Sequence, residues 1–396
     1  SSVSTAGSAS RSGGQLASGE GTLLYTISGT PASVGTAIFN ISMGGKSCTV
    51  TLAVGANTSG IVAGSDTVTI TYSGSSATVN NSYSDDGVSI AVSGANVTVT
   101  SKNTSREIVY LLSGSAANGS FRIYSEYKFN LTLNNLTLTN SSGPAINIQS
   151  GKKATINLPG GTSSSLVDGA TYASSTEDQK GTFFSEGQLV FTGTGALAVT
   201  GNNRHGIVSD DYISVSQASI TVKSAAKDGI HTNDYFTMDS GTLSVSSTGD
   251  GIEVEEGYVL IKGGSLTVNT SGEKSHGIKT EGYATIGTSG TVALAVSGKG
   301  SKAIKTTGNF TLNSGTVKLT TSGAAFYDTS DADISAPAGI NCDGDLAING
   351  GILQVTSTGA GAKGITVDGA ATISGGNTTI TASGAKFTYS SSLSSE

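Results

Sequence analysis

Asp228 and Asp250 each open an Asp-Gly-Ile tripeptide 22 residues apart, and Glu253 and Glu255 follow the second at alternate positions. Crowded carboxylates repel one another unless a cation compensates. Calcium tolerates irregular sets of carboxylate and carbonyl oxygens. Asp228, Asp250, Glu253, Glu255, Asp210 and Asn233, with Asp211 nearby, are therefore the expected ligands of a calcium ion. The alternative is a set of solvated turn residues paired with Lys279, Lys305 or the histidines. All three histidines, His205, His231 and His276, fall in this stretch. Zinc is the weaker expectation for them, because their positions are not evenly adjacent and no cysteine joins them. A second acidic group, Asp328, Asp331 and Asp333 with Asp343 and Asp345 beyond, lacks the spacing of an EF-hand and reads as a solvated loop.

Tyr212, Tyr235, Tyr258 and Tyr283 each precede an alternating apolar segment, and period-2 parity turns them outward. Flat rings cover sugar faces, and fixed polar groups such as His231, Lys279 and Lys305 read hydroxyls, so these seven residues form an expected carbohydrate-binding surface. Phe326 and Tyr327 would extend it. The competing reading is an aromatic stack that shields a sheet face.

What brings such distant residues together is an internal repeat. Its copies read HGIVSDDYISV from His205, DGIHTNDYFTM from Asp228, DGIEVEEGYVLI from Asp250 and HGIKTEGYATI from His276, then KAIKTTGNFTL, AGINCDGDLAI and KGITVDGAATI. The small residues Gly206, Gly229, Gly251, Gly277, Ala303, Gly339 and Gly364 are spaced by 23, 22, 26, 26, 36 and 25. The long interval holds an insertion from Ala324. Each copy contains three short strand patterns, the size of one β-helix coil, and lacks the consensus and helices of a leucine-rich repeat. Stacked coils place equivalent residues about 4.8 Å apart, so each aligned column becomes a ladder, with Ile207, Ile230, Ile252, Ile278, Ile304, Ile340 and Ile365 stacked inside.

Composition agrees: 56 Gly, 4 Pro, no Trp and only 12% charged residues suit short strands and tight turns rather than surface helices. The net charge of −7 and the absence of a Lys/Arg-rich stretch argue against nucleic acid. No segment has the length of a membrane span. Cys48 and Cys342 sit at apolar-parity positions and read as small core residues rather than a disulfide. Upstream strands from Phe129, Gly143 and Lys152 give the first coils, and the polar run 160–180 reads as a protruding loop. The expected organisation is a flexible linker over 1–20, a small β-sandwich-like module over 21–80 with a hairpin at Gly44-Gly45, and an all-β, right-handed parallel β-helix over 81–396. The Ser/Gly-rich start has the texture of a processed, surface-tethered protein, whose signal or lipid anchor would lie upstream.

At DGIHTND, GDGIEVEEG and SHGIKTEG, with strands closing on GGSLTV, the chain resembles the carbohydrate-binding domain-containing cell-surface β-helices described from cellulolytic clostridia. The stretch from Val109 to Tyr172 resembles that family's opening segment, and the likeness covers roughly 85–388. The resemblance implies a non-enzymatic, extracellular binder of plant-type polysaccharide, including acidic galacturonan, with bound calcium and a fold shared with pectate lyases. Carried onto this sequence, the Asp-Gly-Ile acids are Asp228 and Asp250. His205, His276, Lys302, Ala338 and Lys363 replace the acid in the other copies, so the implied calcium site is confined to the middle coils. Two other functions stay open. A polysaccharide lyase would pair calcium with a basic side chain such as Lys279 or Lys305, although no Arg follows Arg204. A structural adhesin would bind proteins instead.

Overall fold

The computed structural model describes residues 67–389 throughout and, before them, the strand backbones of Ser8–Ser10, Thr26–Ser28, Gly35–Met43 and Lys46–Val54. The chain divides into two compact units, Ser1–Gly60 and Ile61–Glu396. In the first, Gly35–Met43 and Lys46–Val54 pair antiparallel from Gly35↔Val54 to Met43↔Lys46, the hairpin expected around Gly44-Gly45. Ser8–Ser10 pairs antiparallel with Thr26–Ser28. The rest of the expected linker, the sandwich character of the module and the Cys48 side chain lie outside the described residues. The second unit starts earlier than residue 81. Thr67–Ser73 and Ser76–Asn80 form a hairpin whose first strand runs parallel to Ile108–Ala116, and so belong to the helical stack.

That second unit is a parallel β-solenoid of about 11 turns. One face is a sheet of twelve strands, from Val88–Ser93 at one end to Lys363–Val367 at the other. All its pairings are parallel except the terminal hairpin of Val88–Ser93 with Asn96–Ser101, which caps the first edge. Each coil continues through a second face, as in Tyr258–Ile261, and a third, as in Ser265–Thr270. In Phe129–Asn140, Ala284–Val296 and Phe310–Thr321 these two faces run together as one strand.

The interior follows from the columns. Phe121, Ile146, Phe183, Ile207, Ile230, Ile252, Ile278, Ile304, Ile340 and Ile365 are consecutive partners on the twelve-stranded sheet. All are buried except Ile365, in the last coil, which is partly covered. The glycine before each Ile is a packing requirement. A Cβ on Gly229 would lie 2.0 Å from Val245 Cγ1, and one on Gly251 2.1 Å from Val268 Cγ1. Where the facing residue becomes Leu294, the side-chain contact at Gly277 relaxes to 3.2 Å, but a Cβ there would still meet the Ala303 carbonyl oxygen at 2.5 Å.

Two residues after Ile runs an inner column of Ser185, Ser209, Thr232, Val254, Thr280, Thr306 and Cys342. Ser209, Thr232 and Thr280 donate hydroxyl hydrogen bonds to the carbonyls of Gly187, Asp211 and Gly257 and so tie the corner together. Cys342 takes the same place as a free, buried thiol, the small core residue expected.

The run 160–180 does not protrude as one loop. Ser163–Asp168 is a strand of the third face. The residues after it fold back over the twelve-stranded sheet, where Glu177 meets Arg122 at 3.1 Å and Tyr124, and Gln149 donates to the Asp178 carbonyl at 2.9 Å. The insertion forms a small hairpin, Phe326–Asp328 with Asp333–Ser335.

Candidate functional site

Strand parity turns one residue after each Ile outward from the twelve-stranded sheet. The outward column reads Arg122, Asn147, Phe184, Val208, His231, Glu253, Lys279, Lys305, Asn341 and Thr366. At the strand starts stand His205, Asp228, Asp250, His276, Lys302, Ala338 and Lys363. At the following corner, Asp210, Asn233, Glu255, Glu281, Thr307, Asp343 and Asp368 each donate a backbone N–H to the coil before. A surface groove of about 740 Å³ opens over the middle of this face. Asp228, His231, Asp250 and Glu253 lie in it, Asn233 and Glu255 at its corner side, and Lys180 and Lys274 line it as well.

Of the six expected calcium ligands, Asp228, Asp250 and Glu253 bring carboxylate oxygens within 4.8 Å of one another. Cations already stand among them. His231 Nδ1 lies 3.0 Å from Glu253 Oε2 and 3.5 Å from Asp228 Oδ2, and its Nε2 lies 3.3 Å from Glu255 Oε1. Lys279 Nζ lies 2.5 Å from Glu253 Oε1. Calcium takes six to eight oxygens, and a carboxylate trio interleaved with imidazole and ammonium does not fit it. Asp210 is set apart from the trio. Lys180 holds its Oδ2 at 2.7 Å, and its Oδ1 is buried with no hydrogen-bond partner among the described residues.

The electrostatics follow from these contacts. Burial works against the charge on Asp228, but hydrogen bonds from His205 and His231 outweigh it and hold the carboxyl far below its usual range. Burial likewise opposes protonation of His231, yet hydrogen bonds to Asp228 and Glu253 lift it to about 9. Asp250 has only the more distant Lys279, 4.0 Å from its Oδ2, as a cationic neighbour among the described residues. Desolvation pushes it up to about 7, although it accepts the His276 backbone N–H. His276 is itself pressed well below its ordinary value by burial and by Lys302 and Lys305.

The lysine end of the face is unbalanced. Lys302, Lys305 and Lys363 make no ion pair among the described residues, whereas Lys279 is tied to Glu253. Burial first, then Lys305, Lys274 and Lys363, lowers Lys302 to about 8. Lys305 was expected here. Lys302 and Lys363 were visible in the sequence only as departures from the acid column, and His205 as one more replacement.

The tyrosine ladder forms, but not as a platform. Tyr212, Tyr235, Tyr258 and Tyr283 stack with centroids 4.4, 4.9 and 5.0 Å apart and interplanar angles of 9°, 1° and 15°. Each inner ring is covered on both faces by its neighbours, so the faces a sugar would use are taken. The two end rings, Tyr212 and the 43% exposed Tyr283, each keep one face free of tyrosine. Tyr327 stacks on Tyr389 at 4.1 Å. In the insertion, Asp328 and Asp331 hold Lys274 at 2.6 and 2.7 Å, so a lysine serves as the cation there.

Comparison with known proteins bears on what this face is for. Among solved structures, the chain is similar to a polysaccharide lyase-like protein from C. thermocellum, determined as a gadolinium derivative. The two share 20% identity and a TM-score of 0.50 over 78% of this chain and 99% of that one, a likeness of fold. No curated protein matches the chain. No helix among the described residues is long and apolar enough to cross a membrane. The family described as carbohydrate-binding domain-containing protein matches residues 93–386, which include every coil of the charged face. The chain belongs to that family.

Proposed function

We propose that the chain is a non-catalytic binder of acidic polysaccharide, displayed outside the cell, with the glycan lying along the twelve-stranded sheet. The observation that carries this reading is the row of unpaired lysines, Lys302, Lys305 and Lys363, on the open face of a solenoid in a carbohydrate-binding family. Uronate carboxylates supply the counter-charge these lysines lack. Asn341 and Thr366, next in the outward column, offer hydroxyl-reading groups beside them. Calcium belongs to this reading at the corner, as a bridge between glycan carboxylates and the exposed carboxylates of Glu255 and Glu281.

A second reading, a polysaccharide lyase, has one specific support. Lys302, lowered to about 8, has a neutral fraction able to accept a proton at mildly alkaline pH. Lys279 is unsuited to that role, because its bond to Glu253 keeps it charged.

Co-sedimentation with polygalacturonate and with neutral cellulose, each with and without chelator, tests the proposal. Retention on polygalacturonate with no rise in ultraviolet absorbance from unsaturated uronides is the expected result. Rising absorbance replaces the binder with a lyase, and no retention on any glycan leaves a structural adhesin.

A further inference from the structure

We propose that His205, Asp228 and His231, with Glu253 as fourth donor, form a site for a borderline divalent cation of the zinc class. Calcium is a poor fit to the same residues. The donor atoms converge: His205 Nδ1 lies 2.9 Å and His231 Nδ1 3.5 Å from Asp228 Oδ2, and Glu253 Oε2 lies 3.0 Å from His231 Nδ1. A tetrahedral ion with bonds of about 2.0–2.1 Å holds its ligand atoms roughly 3.3 Å apart, and the observed separations bracket that figure. Two imidazole nitrogens suit zinc, copper or nickel, whereas calcium takes oxygens alone.

The surroundings have the form of an outer shell. Asp228 Oδ1 accepts the Asp250 backbone N–H at 2.6 Å, which fixes the carboxylate and aims Oδ2 at both rings. His231 Nε2 faces Glu255 Oε1 at 3.3 Å, leaving Nδ1 for the ion, the carboxylate–histidine–metal pattern. The rings pack against each other with centroids 4.6 Å apart. The four side chains are only 11–16% exposed, yet all line the groove, which gives an ion its path in. Evenly spaced coils are not required. His205 comes from a strand start and His231 from the middle of the next coil's strand, and the stagger lets both reach one carboxylate.

The alternative is a histidine–carboxylate ion-pair network with no metal function, and the three histidines separate the two. Chelator-treated, ¹⁵N-labelled full-length chain is titrated with Zn²⁺, without glycan, while the imidazole nitrogens are followed. The Nδ1 resonances of His205 and His231 should shift strongly and saturate together. His276 should stay still, since it is buried and belongs to no group of converging donor atoms among the described residues. A large excess of Ca²⁺ should not reverse the shifts. Glu255→Gln, at an exposed outer position, should weaken Zn²⁺ binding by about tenfold or more, and His231→Gln should abolish it. Unmoved His205 and His231, equal movement of all three histidines, or reversal by Ca²⁺ would each overturn the site. Because no glycan is present, failure here leaves the polysaccharide reading standing, and the reverse holds too.

Discussion

Asp228 Oδ1 accepts the backbone N–H of Asp250 from the next coil at 2.6 Å, and Asp250 Oδ1 accepts that of His276 at 2.5 Å. One oxygen of each carboxylate thus splices two coils, while the other faces the groove. Function and stability share a residue here. Asp228→Ala leaves a buried N–H without its acceptor, which costs about 1–3 kcal/mol. Asp228→Asn retains an acceptor oxygen and should lose clearly less, read from denaturant midpoints. Equal losses would show that the splice contributes nothing.

Gly229 is held by contact, not by backbone angle, since its Cβ would lie 2.0 Å from Val245 Cγ1. Gly229→Ala should destabilise the solenoid by about 1–3 kcal/mol through overpacking. Val245→Ala leaves a cavity and is also destabilising by itself. The double variant should be more stable than the sum of the two losses predicts. Simple additivity would mean that the glycine serves some other purpose.

His231 and His276 should tilt the pH profile of stability in opposite directions, measured on chelated protein. His231 titrates at about 9 when folded against an ordinary 6.5, so its ion pairs stabilise fully below pH 6.5 and fade as pH rises through 9. His276 is held below its ordinary 6.5 when folded, so stability is present above that value and falls as pH drops below it. His231→Gln should remove the alkaline loss and His276→Gln the acid loss. An unchanged alkaline slope in His231→Gln would contradict the assignment.

Tyr235 has a ring on each face and Tyr283 on one. With about 0.5–1.5 kcal/mol per aromatic pair, Tyr235→Ala should destabilise roughly twice as much as Tyr283→Ala. Any loss of glycan affinity should be confined to the end rings, Tyr212→Ala and Tyr283→Ala. A specific affinity loss in Tyr235→Ala, at intact fold, would restore the ring faces as sugar contacts.

The ladder geometry was legible because the Asp-Gly-Ile register repeats with a period of one coil, and the Ile207-to-Ile365 column is observed as aligned. Parity also placed His231, Glu253, Lys279 and Lys305 outward. What it could not give was orientation within a column. Side chains at coil spacing either face outward separately or stack on each other, and for planar tyrosines stacking covers more surface. The same limit hid the meeting of His205 and His231 on Asp228, since the two histidines occupy different columns. That the solenoid already includes Thr67–Ser73 was also obscured. An antiparallel hairpin such as Thr67–Asn80 has the same alternation whether it caps a helix or belongs to a separate module.

The most direct test of the central claim is the affinity for polygalacturonate, by calorimetry, of the wild-type chain against Lys302→Glu/Lys305→Glu. Reversing two charges on the unpaired row should abolish binding to the acidic glycan while the fold, checked by circular dichroism, persists. Wild-type binding should also weaken as salt rises. Unchanged affinity in the folded double variant would contradict the account.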